Sequence, residues 1–308
     1  MFVPELTRAW RPGRPVDLHA TLGSLRHGSG DPAYRADRQG AIWRASRTPD
    51  GPGTVRLAIS RADAAVTAAA WGPGAAWLIE SLPALLGEDD DPAGFVPCHE
   101  IVRQSARRYR GWRVPTTALV MESLVPAILE QKVTGREASR SWRELLWRFG
   151  DPAPGPDVMP RGMRVIPAPR TWIQIPSWEW HRAGVDGGRV QAIRSAAAVA
   201  GRLEETVRLG LAEAERRLRL IPGVGVWTAA EVRQRAHGDA DAVSIGDFHL
   251  PGMVGWALTG RKVDDAGMLE LLEPYAGHRY RAVRMIELAG LGPPRRGPRF
   301  ALRDYRAM

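Results

Sequence analysis

A single cysteine, Cys98, stands among 308 residues. No intramolecular disulfide, all-cysteine zinc site or four-cysteine iron–sulfur cluster can therefore form within the chain. A reducing, intracellular compartment is the simplest expectation. Long apolar runs are also missing. The longest uncharged stretch, Ala64–Ile79, has 16 residues and is broken by Gly72-Pro73-Gly74, short of the roughly 20 that a spanning helix needs. Met1–Pro15 carries Arg8, Arg11 and Arg14 with no apolar segment of the secretory kind. No membrane association is expected, and the predicted location is the cytoplasm. Lysine is nearly absent too: Lys132 and Lys262 are the only two, so 41 of the 43 basic residues are arginine, the side chain that grips phosphate in a bidentate fork.

What is present describes a globular protein. Hydrophobic residues make up 44% and charged residues 25%, enough for one large or two ordinary domains with a proper core and no obligatory partner; a monomer is expected. The net charge of +9 and pI near 10.6 favour polyanions, nucleic acid first among them. Two runs concentrate this charge. Ile101–Arg113 holds Arg103, Arg107, Arg108, Arg110 and Arg113 without an acid, and Pro293–Met308 holds Arg295, Arg296, Arg299, Arg303 and Arg306 against Asp304. Each is either a solvated basic face or a phosphate contact, and composition alone leaves both open.

The texture of the chain changes near residue 113. Before it, Val16–Leu22, Ala41–Arg44 and Gly53–Ser60 alternate in the manner of strands, with Arg47–Gly53 as a hairpin loop and a helical stretch at Trp77–Leu86. From Thr116 the helical period dominates. Helices are predicted at Thr116–Val133, Arg136–Phe149, Gly188–Arg202, Ala212–Arg219, Val226–Ala236, Asp247–Leu258, Ala266–Glu273 and Arg279–Leu288, with a surface loop at Gly150–Pro156. The predicted fold class is mainly α with an N-terminal α+β domain, residues 1–112 forming a small antiparallel sheet-and-helix unit and residues 113–308 a helical domain.

The sharpest local signal is Leu218-Arg219-Leu220-Ile221-Pro222-Gly223-Val224-Gly225-Val226-Trp227-Thr228-Ala229. Pro222 ends one helix, and Gly223 and Gly225 permit a tight turn and a close approach of backbone amides to an anion. Those amides, Val224 among them, open the next helix, whose positive end favours phosphate. Further on, Ser244-Ile245-Gly246-Asp247-Phe248-His249-Leu250 places an acid among apolar neighbours. As a bare residue Asp247 fits a helix N-cap; as a catalyst a carboxylate stabilises an oxocarbenium ion and orients water.

The hairpin, followed after two dozen residues by Asp247, resembles the helix-hairpin-helix DNA glycosylases, and most nearly their bacterial alkylpurine branch, the 3-methyladenine DNA glycosylase II-like enzymes. Val114-Pro115, Val125–Gln131 and Ala183-Gly184-Val185 with Gly188-Arg189 extend the resemblance across the helical half; the N-terminal unit matches in layout only. The resemblance implies a helix-hairpin-helix glycosylase fold, damaged duplex DNA as partner, base flipping and base excision repair. It makes Asp247 catalytic and places Trp227 in the base pocket, either stacking on a cationic alkylpurine or packed as core. Bifunctional relatives carry a lysine at the Trp227 position, so a monofunctional enzyme without lyase activity is expected, with Lys132 and Lys262 the only other lyase candidates.

The same resemblance puts Gln131, Lys132, Gly223, Val224, Gly225, Thr228, His249 and Arg279 at the DNA. Lys132 stands where this branch has leucine, so the residue that fills the flipped-out gap is Lys132, Gln131 or Val133. His278 stands where a pocket tryptophan is expected; Arg279 beside it either meets DNA or braces the backbone. No cofactor is required, but a monovalent cation, Na+ or K+, at the carbonyls of Arg219, Ile221 and Gly223 is implied. Trp172, Trp178 and Trp180 read as packing residues. Two other functions stay open: a noncatalytic DNA-binding protein, and a glycosylase of the same superfamily for deaminated or oxidised bases.

Overall fold

The computed structural model describes residues 6–60 and 65–294; the second basic run, from Arg295 onward, lies outside them. Strand β1 (Leu6–Trp10) and helix α1 (Leu18–Leu22) lead into β2 (Tyr34–Ala36), β3 (Ile42–Thr48), β4 (Gly51–Ser60) and β5 (Ala65–Trp71), followed by α2 (Ala75–Glu80), α3 (Leu82–Leu85) and α4 (Glu100–Arg108). The strands form one antiparallel sheet in the order β1-β5-β4-β3-β2. The helical part comprises α5 (Val120–Leu129), α6 (Gly135–Phe149), a ribbon of β6 (Asp151–Pro152) and β7 (Arg164–Val165), α7 (Pro169–Gln174), α8 (Ser177–Arg182), α9 (Gly187–Ala198), α10 (Ala200–Glu204), α11 (Leu211–Leu218), α12 (Val226–Ala236), α13 (Leu250–Thr259), α14 (Asp265–Leu272) and α15 (Arg279–Ala289).

Several local expectations change. The alternation at Val16–Leu22 predicts a strand, but Asp17 accepts the Ala20 amide at 2.9 Å and caps α1 instead. The apolar run at 65–71 is a strand, β5, stopped at Gly72, whose φ of +94° is open to glycine. The hairpin between β3 and β4 is tighter than Arg47–Gly53, since Thr48 already pairs with Gly51. The helix predicted from Thr116 begins at Val120, because Thr117 and Ala118 donate to the carbonyls of Arg235 and Ala236, while Glu204 accepts the first amides, Val120 and Met121, at 2.7 and 2.9 Å. The loop at Gly150–Pro156 contributes β6, and α7 and α8 have no counterpart among the predicted helices.

Three apolar cores hold these elements. One sheet face, with Ile42, Val55, Leu57, Val66 and Ala68, packs on Leu18, Leu22, Leu78 and Leu82. Trp43 and Trp71, stacked with ring centroids 5.4 Å apart, turn the other way into a core with α5, α6, α9 and α12. The buried carboxylate Glu122 of α5 spans the two layers, accepting from Arg44, Ser46 and the Arg47 amide. Burial raises its pKa against the pull of Arg44. In the third core Val102 of α4 and Trp112 meet Leu250, Val254, Leu272 and Ile286 of α13, α14 and α15. Trp172 and Trp180 are buried and stacked on each other, whereas Trp178 is exposed. Among the described residues no helix is long and apolar enough to cross a membrane.

Candidate active site

The hairpin runs from the end of α11 to the start of α12. Ile221 N donates to Leu218 O and Val224 N to Ile221 O, at 3.2 and 3.0 Å, closing the turn around Pro222. Gly223 has φ +86°, and a Cβ there would stand 3.0 Å from the Ala192 methyl group. Gly225 enters α12 with extended backbone and no side chain caps that helix, so its first amides, Val226 and Trp227, are free of intrahelical partners and point outward.

Gln131 ties a second element to this turn. Its Nε2 donates to Gly223 O at 2.9 Å and to Thr228 Oγ1 at 2.8 Å. Gln131 follows α5, whose last carbonyl is held from α9: Arg189 Nη1 donates to Leu129 O at 2.7 Å. Beyond it, Thr134 and Glu137 form a capping box that starts α6. Lys132, between the two helices, is exposed and has φ +55°. The predicted DNA residues thus divide: Gly223, Gly225, Lys132 and His249 are exposed, while the side chains of Thr228 and Val224, 2% and 5% exposed, lie in the protein.

Asp247 lies before α13 rather than at its first residue. Its Oδ1 accepts from the His249 and Leu250 amides at 2.7 and 2.8 Å, capping the turn into α13, and its Oδ2 accepts from Trp227 Nε1 at 3.0 Å. The chain reaches this position through Gly246, with φ +86° and its amide 3.1 Å from Asp265 Oδ1. The apolar setting expected of Asp247 does not form: Phe248 is 83% exposed and lies edge-on to His249, so polar donors surround the half-buried carboxylate. Trp227 is half-buried, and its indole edge faces the acid.

His278 is the residue before α15. Its Nε2 lies 2.9 Å from Ala93 O and its Nδ1 3.3 Å from Arg281 Nε, with Phe95 beside the ring; the Nε2-protonated tautomer satisfies both bonds. Arg279 donates to Asp241 from its amide and Nη1, at 2.9 and 2.6 Å, and to Glu273 from Nη2 at 2.9 Å. The Glu273 hydrogen bond, with Asp241, raises its pKa. The fork is spent on carboxylates and braces the chain at Asp241.

A clamp behind Asp247 was not legible in linear order. Gln234, 4% exposed, donates from Nε2 to Ala242 O at 2.9 Å and Ser244 Oγ at 3.0 Å, and Ser244 donates in turn to Glu231. Glu231, a second carboxylate, pairs with Arg235, whose Nε reaches Ser24 O at 3.0 Å. Trp227, Glu231 and Gln234 share one face of α12 at i, i+4 and i+7. That spacing was the available signal, but their partners are visible only in the fold.

No family model and no curated relative matches this chain. Solved structures do. A 3-methyladenine DNA glycosylase from Archaeoglobus fulgidus aligns with a TM-score of 0.72 at 16% identity, covering 93% of this chain and 97% of that one. MBOgg1 in complex with a low-affinity DNA ligand gives 0.69 at 14%, covering 94% and 97%. The 8-oxoguanine glycosylase/lyase of Clostridium acetobutylicum gives 0.69 at 10%, covering 94% and 98%. The chain therefore has the fold of the helix-hairpin-helix DNA glycosylases over nearly its whole length.

Proposed function

We propose that this protein is a monofunctional DNA N-glycosylase that removes alkylated purines of the 3-methyladenine and 7-methylguanine type from duplex DNA, in base excision repair. The observation that carries the reading is the contact between Asp247 and Trp227, which joins the hairpin helix to a carboxylate fixed by three donors. The hairpin amides hold a backbone phosphate. The damaged nucleotide is flipped out, at a cost of a few kcal/mol that is least for damaged bases. Lys132 at the loop tip is the side chain offered to the gap, since the amide of Gln131 is held on the hairpin.

As the C1′–N bond breaks, the electron pair leaves with the base and positive charge grows on the sugar. Asp247 stabilises that charge, orients the water whose oxygen bonds C1′ and takes the proton that this water loses. An alkylated purine already carries positive charge as a leaving group, so no separate acid is needed, and the Trp227 ring supplies attraction of about 0.5–2 kcal/mol to such a cation. Trp227 cannot form a Schiff base. For the implied Na+ or K+, the carbonyls of Ile221 and Gly223 accept from Val224 and Gln131 and each keeps a lone pair; with Arg219 O they would hold the cation, which would supply positive charge for a backbone phosphate.

A second reading, excision of oxidised or deaminated bases, is favoured by the likeness to MBOgg1 and to the 8-oxoguanine glycosylase/lyase. The test is release of free bases from methylated duplex by the wild type and Asp247→Asn, followed by borohydride trapping. Asp247-dependent release of methylpurines without a trapped adduct supports the proposal. No release while deaminated or oxidised bases are excised moves it to the second reading. DNA binding with no excision of any base identifies a noncatalytic binder, and a trapped adduct overturns the monofunctional mechanism.

A further inference from the structure

The basic run at Ile101–Arg113 has no part in the site above. It forms α4 and the turn after it, and α4 is firmly seated. Its own Val102 and Ser105 are buried, Tyr109 Oη donates to Leu288 O at 3.1 Å, and Tyr275 Oη lies 3.0 Å from the His99 amide and 2.7 Å from His99 Nδ1. The outer face carries Arg103 and Arg107, one turn apart, with Arg110 following. Across from them runs Val96-Pro97-Cys98, and between the two walls lies an open cleft of about 500 Å³. Arg103 meets Glu100, but Arg107 and Arg110 form no ion pair among the described residues. Two exposed guanidinium groups, one on the helix and one on the turn after it, thus carry unpaired charge, in a protein with net charge +9.

We propose that this arginine-walled cleft binds backbone phosphates of the duplex outside the lesion contact. Its location favours one continuous footprint. Phe95, next to the cleft wall, lies 5.8 Å from the His278 ring, and the adjoining Arg279 braces Asp241 on the segment that leads to Asp247. α4 also shares its core with α13, the helix that Asp247 introduces. Planar guanidinium forks suit phosphate oxygens, and their displacement of counterions makes each contact visible in the salt dependence of binding. The inference shares the duplex with the proposed function but not the excision chemistry.

The cleft contains its own reporter, because Cys98 is the only thiol of the chain and is exposed on the wall. Alkylation of Cys98 by iodoacetamide is measured on the full-length protein, free and saturated with a long duplex or with a short one that covers only the lesion contact. The slope of log Kd against log salt is measured for wild type and Arg107→Gln/Arg110→Gln. Protection by the long duplex alone is expected, with a slope reduced in the variant by up to about 1.8, at roughly 0.9 per phosphate. Bound DNA with full Cys98 reactivity and an unchanged slope would overturn the proposal while leaving the glycosylase reading intact. Protection by inorganic phosphate but not by DNA would overturn it as well, in favour of a small phosphate ligand. A wild type that binds DNA but excises nothing, yet shows the protection, would separate the two claims in the other direction.

Discussion

Asp247 does two jobs with two oxygens. Oδ1 accepts from two amides of the turn into α13, whose N-cap is His249 and not Asp247 as the sequence suggests, and Oδ2 accepts from the indole N–H of Trp227, so both oxygens are oriented for the catalytic role we propose. In the proposed mechanism Trp227 would then be more than a stacking surface, since its edge holds the acid and its face would be left for the base. Trp227→Phe keeps a ring and removes the donor. A hydrogen bond to a charged group is worth about 1.5–3 kcal/mol, so single-turnover base release should fall by roughly ten-fold or more, with affinity for abasic duplex unchanged. Equal rates for the two proteins would show that the contact does not orient the catalyst. Gln234→Leu tests the clamp behind it. Ala242 O and the Ser244 hydroxyl lose a buried partner, which should lower unfolding free energy in urea by about 1–3 kcal/mol.

At the scale of elements, the site is a meeting of three chain segments that are far apart in sequence. The end of α5 is held by Arg189 and pinned to the hairpin by Gln131; the hairpin opens α12; α12 holds the 242–247 segment through Gln234 and Trp227. Gly223 sits at the crossing, left-handed and against Ala192. Gly223→Ala should destabilise the protein by about 1–2 kcal/mol, the cost of a left-handed Cβ-bearing residue, and weaken duplex binding by displacing the hairpin amides. Calorimetry together with DNA titration checks both effects. Gln131→Ala should leave the hairpin backbone intact but free the loop that carries Lys132. Its expected signature is faster exchange of the amide hydrogens at 131–133, with little change in global stability.

For the whole molecule, pH enters through His237. Burial pushes its imidazole down from an ordinary value near 6.5 to about 4, and its Nε2 lies 3.0 Å from Thr206 Oγ1. Below pH 6.5 the unfolded chain takes up a proton that the native state refuses until about pH 4, so stability falls as pH drops through that window. The full difference is on the order of 3 kcal/mol. Urea titrations across the window should show this decline, and His237→Gln should flatten it; an unchanged slope would assign the acid sensitivity to other groups.

Much of this protein was determined by local chemistry that a linear sequence displays. The turn at Pro222-Gly223 needs a residue without N–H followed by one tolerant of positive φ, the bounds of α12 at Val226 and Ala236 follow from helical period and that turn, and the absence of a hairpin lysine is a matter of identity alone. Short segments were decided by the tertiary structure. Val16–Leu22 alternates like a strand but is capped as a helix by Asp17, and Ala65–Trp71 becomes a strand because β1 and β4 lie on either side to pair with it. The partners of the site were decided there too. Gln131 and Gly223 are 92 residues apart, and Gln234 meets Ser244 only because the chain doubles back along α12. Hydrogen bonds act over about 3 Å whatever the separation in sequence, so spacing reveals which residues are able to bond, and packing alone chooses which of them do.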